Sequence, residues 1–165
     1  MDVVLVDETD QQVGVKEKIQ AHKDGNLHRA YSVFIFNSKN ELLLQKRSNK
    51  KYHSAGKWTN TCCSHPFPGQ DLKTAATERL KNEMGIYCEL EEKFSFKYKA
   101  KLENGLIEHE YDHVFFGYCN QNPSPNPDEV SEWKWISIEN LKQDLTDNPE
   151  KYTPWLKIAL ARPLH

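Results

Sequence analysis

No stretch of this sequence approaches the ~18 consecutive apolar residues of a membrane-spanning helix, so no membrane partner is expected. Neither sign of charge dominates. The 22 Lys and Arg stand against 24 Asp and Glu, a net charge of −2, so no general field draws the chain to nucleic acid. Local basic clusters can still hold phosphate. Cysteine is scarce, with four in 165 residues (Cys62, Cys63, Cys88 and Cys119). None forms a C-x-x-C pair, which argues against a zinc-finger knot. Met1 to Gln20 is charged throughout and reads as no secretory signal. Reduced thiols in the cytoplasm are therefore expected. Repeats and low-complexity tracts are lacking. The length suggests one domain over residues 1–165 with room for a real core.

Runs rich in β-branched, aromatic and other apolar residues place strands at Val3 to Val6, Val13 to Glu17, Ala30 to Asn37 and Glu41 to Lys46. Ala21 to His28 reads as a polar loop carrying two histidines, and Arg47 to Lys57 as a long basic loop. Asp71 to Met84 has helical spacing, with Asp71 as N-cap and Gly85 as stop. Phe94 to Lys101 and Leu106 to Cys119 form a hairpin through Glu103-Asn104-Gly105. A three-residue loop centred on Asn104 sets Tyr98 opposite Glu110. The proline-rich Asn120 to Asp128 is a loop, followed by a strand at Trp133 to Ser137 and a short helix from Ile138. Thr153-Pro154-Trp155 opens a last helix, with Thr153 as N-cap and Pro154 at the first helical position.

Chemistry concentrates in Trp58-Thr59-Asn60-Thr61-Cys62-Cys63-Ser64-His65-Pro66. In extended chain Cys63 and His65 face the same way. The residues alone leave two readings open, a functional thiol and imidazole or a half-buried strand end with inert cysteines. Glu108 and Glu110, two apart on a strand, share a face. They are either a solvated face or a carboxylate pair whose repulsion a shared cation removes. If these stretches meet the two-histidine loop, then His22, His28, His65, Glu108 and Glu110 make an oxygen and nitrogen set suited to Mn, Zn or Mg. Lys18, Arg47, Lys51 and Arg79 on a converging rim would hold a diphosphate bridged by a second divalent ion. Arg79 and Glu83, four apart on the helix, are otherwise an ordinary surface ion pair.

W-T-N-T-C-C-S-H-P, the E-x-E strand, the helix A-A-T-E-R-L-K-N-E-M-G and the ending T-P-W together resemble the type I isopentenyl-diphosphate Δ-isomerases of the Nudix fold group. The resemblance runs from about Lys18 to Trp155. It implies an α/β/α sandwich (α+β class) built on a mixed β-sheet. Cys63 and Glu110 match the catalytic pair, and Tyr98 the tyrosine bonded to that glutamate. His22, His28, His65, Glu108 and Glu110 match the metal ligands. Glu83 matches the carboxylate that binds Mg²⁺ with the substrate diphosphate. Lys18, Arg47, Lys51 and Arg79 match the diphosphate contacts, and Trp155 the aromatic that shields the hydrocarbon end.

The implied reaction converts isopentenyl diphosphate to dimethylallyl diphosphate by protonation and deprotonation through a carbocation-like species. The preferred direction has Glu110 with Tyr98 deliver the proton and a Cys63 thiolate remove one. The competing reading is a Nudix hydrolase of a nucleoside diphosphate derivative. Glu78-Arg79-Leu80-Lys81-Asn82-Glu83-Met84-Gly85 departs from the hydrolase pattern R-E-x-x-E-E-x-G: its first two positions are exchanged, and Asn82 replaces a carboxylate. That loss argues against phosphate cleavage. A non-enzymatic metal-binding module is a more distant alternative.

Overall fold

The computed structural model describes residues 1–162 of the chain. Its centre is β3 (His28–Phe36), eight of whose nine residues are buried. β3 pairs antiparallel with β1 (Asp2–Val6), β4 (Glu41–Arg47) and β6 (Cys62–Ser64). It pairs parallel with β8 (Ile107–Tyr118) over nine residue pairs. β2 (Gln12–Glu17), β5 (Trp58–Thr59), β7 (Glu91–Lys101) and β9 (Val130–Ser137) complete a nine-stranded mixed sheet. A strand covered on both faces needs apolar residues of both parities, and A-Y-S-V-F-I-F supplies them.

The alternation sorts side chains into two layers. Phe34, Phe36, Leu42, Leu44, Val114 and Phe116 meet α3 (Ile138–Asp147) and α4 (Pro154–Leu160) on one face. Tyr31, Val33, Ile35, Leu43 and Phe115 meet α2 (Leu72–Met84) on the other. The sandwich expected from the resemblance is therefore present.

The hairpin register is as expected: Tyr98 stands opposite Glu110, and Asn104 takes the left-handed conformation, φ 62°, in a short 3-10 turn. Helix α2 begins with the Asp71 side chain accepting from Thr74 N and stops at Gly85. Gly85 has φ +66°, and a Cβ there would meet Ser124 O at 2.7 Å. The same loop satisfies the helix end, because Ser124 N donates to Met84 O and Asn126 N to Glu83 O. Gly85→Ala should cost about 1–3 kcal/mol. A urea midpoint that falls while the slope of the transition holds would show it.

Two local readings need correction. Ala21 to His28 is not a loop. Lys18–Asp24 is a helix, α1, capped by the Glu17 side chain and ended by Gly25 at φ 72°, and His28 already belongs to β3. Thr153 sits at the N-cap of α4 but does not cap with its side chain. Its hydroxyl instead bonds that of Thr59 at 2.8 Å.

Candidate active site

The polar residues that precede the cysteines are scaffold. Thr59, Asn60 and Thr61 are buried. Asn60 Nδ2 donates to Val33 O and Cys62 O, and its Oδ1 accepts from Trp155 Nε1 at 3.2 Å. Thr61 Oγ1 accepts from Ile35 N and donates to Leu43 O. These bonds fix β6 against β3, with Cys63 opposite Ser32. The neighbouring cysteines then diverge. Cys62 packs in the α2 layer, while Cys63 packs against the α4 layer and lines a pocket. Burial pushes the Cys63 thiol up, so it is neutral at ordinary pH.

The pocket has a cavity volume of about 70 Å³, and its walls include Cys63, His65, Glu108, Glu110 and Trp155. Tyr98 OH, buried behind the two carboxylates, donates to Glu108 Oε1 at 3.1 Å and Glu110 Oε1 at 3.0 Å. Burial pushes this phenol well up, so it stays a donor. Burial also pushes Glu110 upward, but hydrogen bonds with His28 and Glu108 prevail and its pKa is lowered.

The three histidines expected as ligands converge on these carboxylates. His22 Nδ1 lies 2.7 Å from Lys18 O and His28 Nδ1 2.9 Å from Asn26 O. A carbonyl only accepts, so both Nδ1 atoms carry a proton, and each ring, when neutral, turns an Nε2 lone pair to the site. His65 Nε2 lies 2.8 Å from Glu110 Oε2 and 3.3 Å from His28 Nε2. His22 Nε2 faces Glu108 Oε2 at 3.3 Å, acceptor against acceptor, and both atoms are buried without a hydrogen-bond partner. A buried acceptor pair of this kind calls for a cation. Without a metal a proton takes that place: burial lowers the His22 pKa, yet the Glu108 carboxylate outweighs it and the net direction is up. Nitrogen and oxygen donors without thiolate fit a divalent ion. His22, His28, His65 and Glu110 can hold one together, and Glu108 joins through a second group with His22.

Lys18, Arg47, Lys51 and Arg79 all line the pocket. Their mutual approach shows at Lys18, whose pKa is lowered by burial and then by Lys51 and Arg79. Arg47 lies 5.3 Å from the Trp155 ring centroid, which joins the cationic rim to the apolar end. Glu83 stands behind Arg79 rather than in the pocket wall. It is only 4% exposed, bonds Arg79, and accepts from Gln45 Nε2 at 2.7 Å. It is thus no ordinary surface pair.

Four residues of the site carried no sequence signal that separates them from surface or core. Glu129 bonds Lys51 and, at 3.1 Å, Arg79 Nη2, in the place of an anion. Gln45 orients Glu83. His53 lies in the basic loop yet is only 4% exposed, with Nε2 3.5 Å from Glu108 Oε2. Asp112, two residues beyond Glu110 on the same face, accepts from Ser32 Oγ at 2.8 Å. Burial, then Glu110, push Asp112 well above the carboxylate range.

Residues 26–156 match the NUDIX domain model. The chain is 54% identical over 160 residues to isopentenyl-diphosphate Delta-isomerase 1 of Aromatoleum aromaticum, covering 97% of this chain and 90% of that one. This chain belongs to the Nudix-domain isopentenyl-diphosphate Δ-isomerase family. The isomerase of Pectobacterium atrosepticum agrees, at 51% identity over 161 residues with 98% and 90% coverage. The Deinococcus radiodurans protein DR0079 has a fold similar to that of this chain across the full length of both, with a TM-score of 0.84 at 18% identity. That likeness concerns fold alone. Among the described residues, no helix is long and apolar enough to cross a membrane.

Proposed function

We infer that this pocket interconverts isopentenyl diphosphate and dimethylallyl diphosphate, with Cys63 and Glu110 as the acid–base pair. The observation that carries this reading is the pocket itself, which is lined by a thiol, a tyrosine-bonded carboxylate and an indole together with four cations. Moving the double bond means adding a proton to an unactivated alkene and removing another from a neighbouring carbon. The cation between these events is the energetic problem, and the Trp155 face contributes up to about 2 kcal/mol towards it in a dry site. The diphosphate, gripped by Lys18, Arg47, Lys51 and Arg79, fixes the C5 unit between acid and base.

The protonation states suggest which is which. Cys63 is held as thiol and Glu110 as carboxylate. We therefore assign the first proton to Cys63 and its removal to Glu110, the reverse of the direction preferred from sequence. By microscopic reversibility the two exchange roles in the opposite direction. Mn²⁺, Zn²⁺ or Mg²⁺, held by His22, His28, His65, Glu108 and Glu110, would supply fixed positive charge that keeps Glu110 ionised. Mg²⁺ accompanying the diphosphate would be held by Glu83, in exchange for its bond to Arg79. Because the residues involved run from Lys18 to Trp155, residues 1–165 act as one domain.

Hydrolysis is disfavoured by the exposure of both Glu78 and Asn82, which leaves Glu83 as the inward-facing acidic position of α2. The deciding experiment is proton NMR of isopentenyl diphosphate with Mg²⁺ in D₂O, with and without the metal-loaded protein. Dimethylallyl diphosphate bearing deuterium in its new methyl group is expected. Untouched substrate with folded, loaded protein would overturn the assignment, and release of phosphate would favour a hydrolase.

A further inference from the structure

We propose that Asn60 is a positioning residue for the isomerisation, its side-chain amide setting the Trp155 ring against Cys63, a role that rests on reading the pocket as an isomerase site. Asn60 does not line the pocket and is completely buried. Both ends of its amide are engaged. Nδ2 donates to Val33 O at 3.1 Å and to Cys62 O at 2.9 Å. Oδ1 accepts from Trp155 Nε1 at 3.2 Å and from Thr59 Oγ1 at 2.8 Å. Two carbonyls and an indole N–H leave the amide only one orientation. Thr59 gives its one proton to Asn60, so in its 2.8 Å bond with Thr153 the hydroxyl of Thr153 is the donor. A directed chain thus runs from Thr153 through Thr59 to Asn60, all three buried and none left unpaired.

Trp155 needs such a fixture. It stands in the first turn of α4, 95 residues from Asn60 in sequence. The start of that helix is tied to the motif strand, because Thr153 N donates to Trp58 O at 3.0 Å. A backbone tie places the Cα and leaves the ring two side-chain torsions. Arg47 and His53 touch the ring, 5.3 Å and 5.9 Å from its centroid, but the indole N–H bonds Asn60. The other end of the same amide holds Cys62 O, the carbonyl of the peptide that leads into Cys63. One planar group therefore sets the aromatic face relative to the thiol. A ring steadies a cation only when it presents its face within about 6 Å, and a shift of about 1 Å in an active site can cost ~10²-fold in rate. Asparagine suits the position because it accepts at one end and donates at the other. Aspartate would set a second oxygen against two carbonyls, and leucine would leave four groups without a partner.

The test is steady-state kinetics of the metal-loaded full chain with isopentenyl diphosphate, beside calorimetric titration of inorganic diphosphate. Asn60→Ala should lower kcat by about 10- to 100-fold and leave diphosphate affinity unchanged. Trp155→Leu should also lower kcat, and adding Asn60→Ala to it should lower kcat little further, because the two residues act as a unit. A merely structural role makes the two losses multiply. Multiplied losses, a normal kcat in Asn60→Ala, or a loss confined to diphosphate affinity would overturn the proposal. Trp155→Phe gives a second route if Asn60→Ala does not fold. It keeps an aromatic face and lacks the N–H, so kcat should fall while diphosphate binding holds, and a normal kcat there would overturn the role of the bond. Folded, loaded wild-type protein that leaves isopentenyl diphosphate untouched would overturn the isomerase reading, and the role of Asn60 with it.

Discussion

Cys63→Ala should lower turnover of isopentenyl diphosphate by about 10²- to 10⁴-fold, the usual loss when a positioned acid or base is removed. Substrate affinity should hold, because Lys18, Arg47, Lys51 and Arg79 all lie on other segments. The neighbouring thiol cannot substitute. Cys62 is fully buried in the α2 layer, on the opposite face of β6. Cys62→Ala is thus the matched control: it perturbs the core and leaves the chemistry. Steady-state rates paired with calorimetric titration of substrate separate the two effects. Near-normal turnover in Cys63→Ala would remove this residue from the mechanism.

Glu110→Gln is expected to be as damaging to turnover, again about 10²- to 10⁴-fold, with a second symptom that Cys63→Ala lacks. One Glu110 oxygen lies 2.8 Å from His65 Nε2 and 3.4 Å from His28 Nε2, while the other accepts from Tyr98. An amide keeps the shape and loses both the charge and the base. Metal affinity should therefore fall at least about tenfold, while binding of inorganic diphosphate is retained through the four cations. Chelator competition and diphosphate titration on the same preparation distinguish these outcomes. A variant that keeps both its metal and its rate would show that the carboxylate is neither ligand nor base.

Much of this site was legible because its signals were local. The Asn104-Gly105 turn fixed the hairpin register and with it the bond from Tyr98 to Glu110. Spacing by two placed Glu108 and Glu110 on one side of β8. What escaped was decided by tertiary contact. Helix α1 has seven residues and little apolar periodicity; it is held by a Glu17 cap, the Gly25 stop and packing against β8. The pair of Arg79 and Glu83 has ordinary helical spacing, and only Gln45 and Glu129, far away in sequence, make it part of a site. His53 reads as one more polar residue of a basic loop until its burial beside Glu108 is seen.

The bond network around Glu129 bears on anion selectivity. Its carboxylate bridges Lys51 and Arg79, and its own carbonyl accepts from Ser48 N at 3.0 Å. A carboxylate tethered in this way competes for the two cations at an effective concentration far above that of any free carboxylate. Singly charged anions of the cell are therefore poor rivals for the rim. A diphosphate, with several charged oxygens, would displace the tether. A competitor built into the chain would thus hold weak anions off the pocket and yield to a diphosphate.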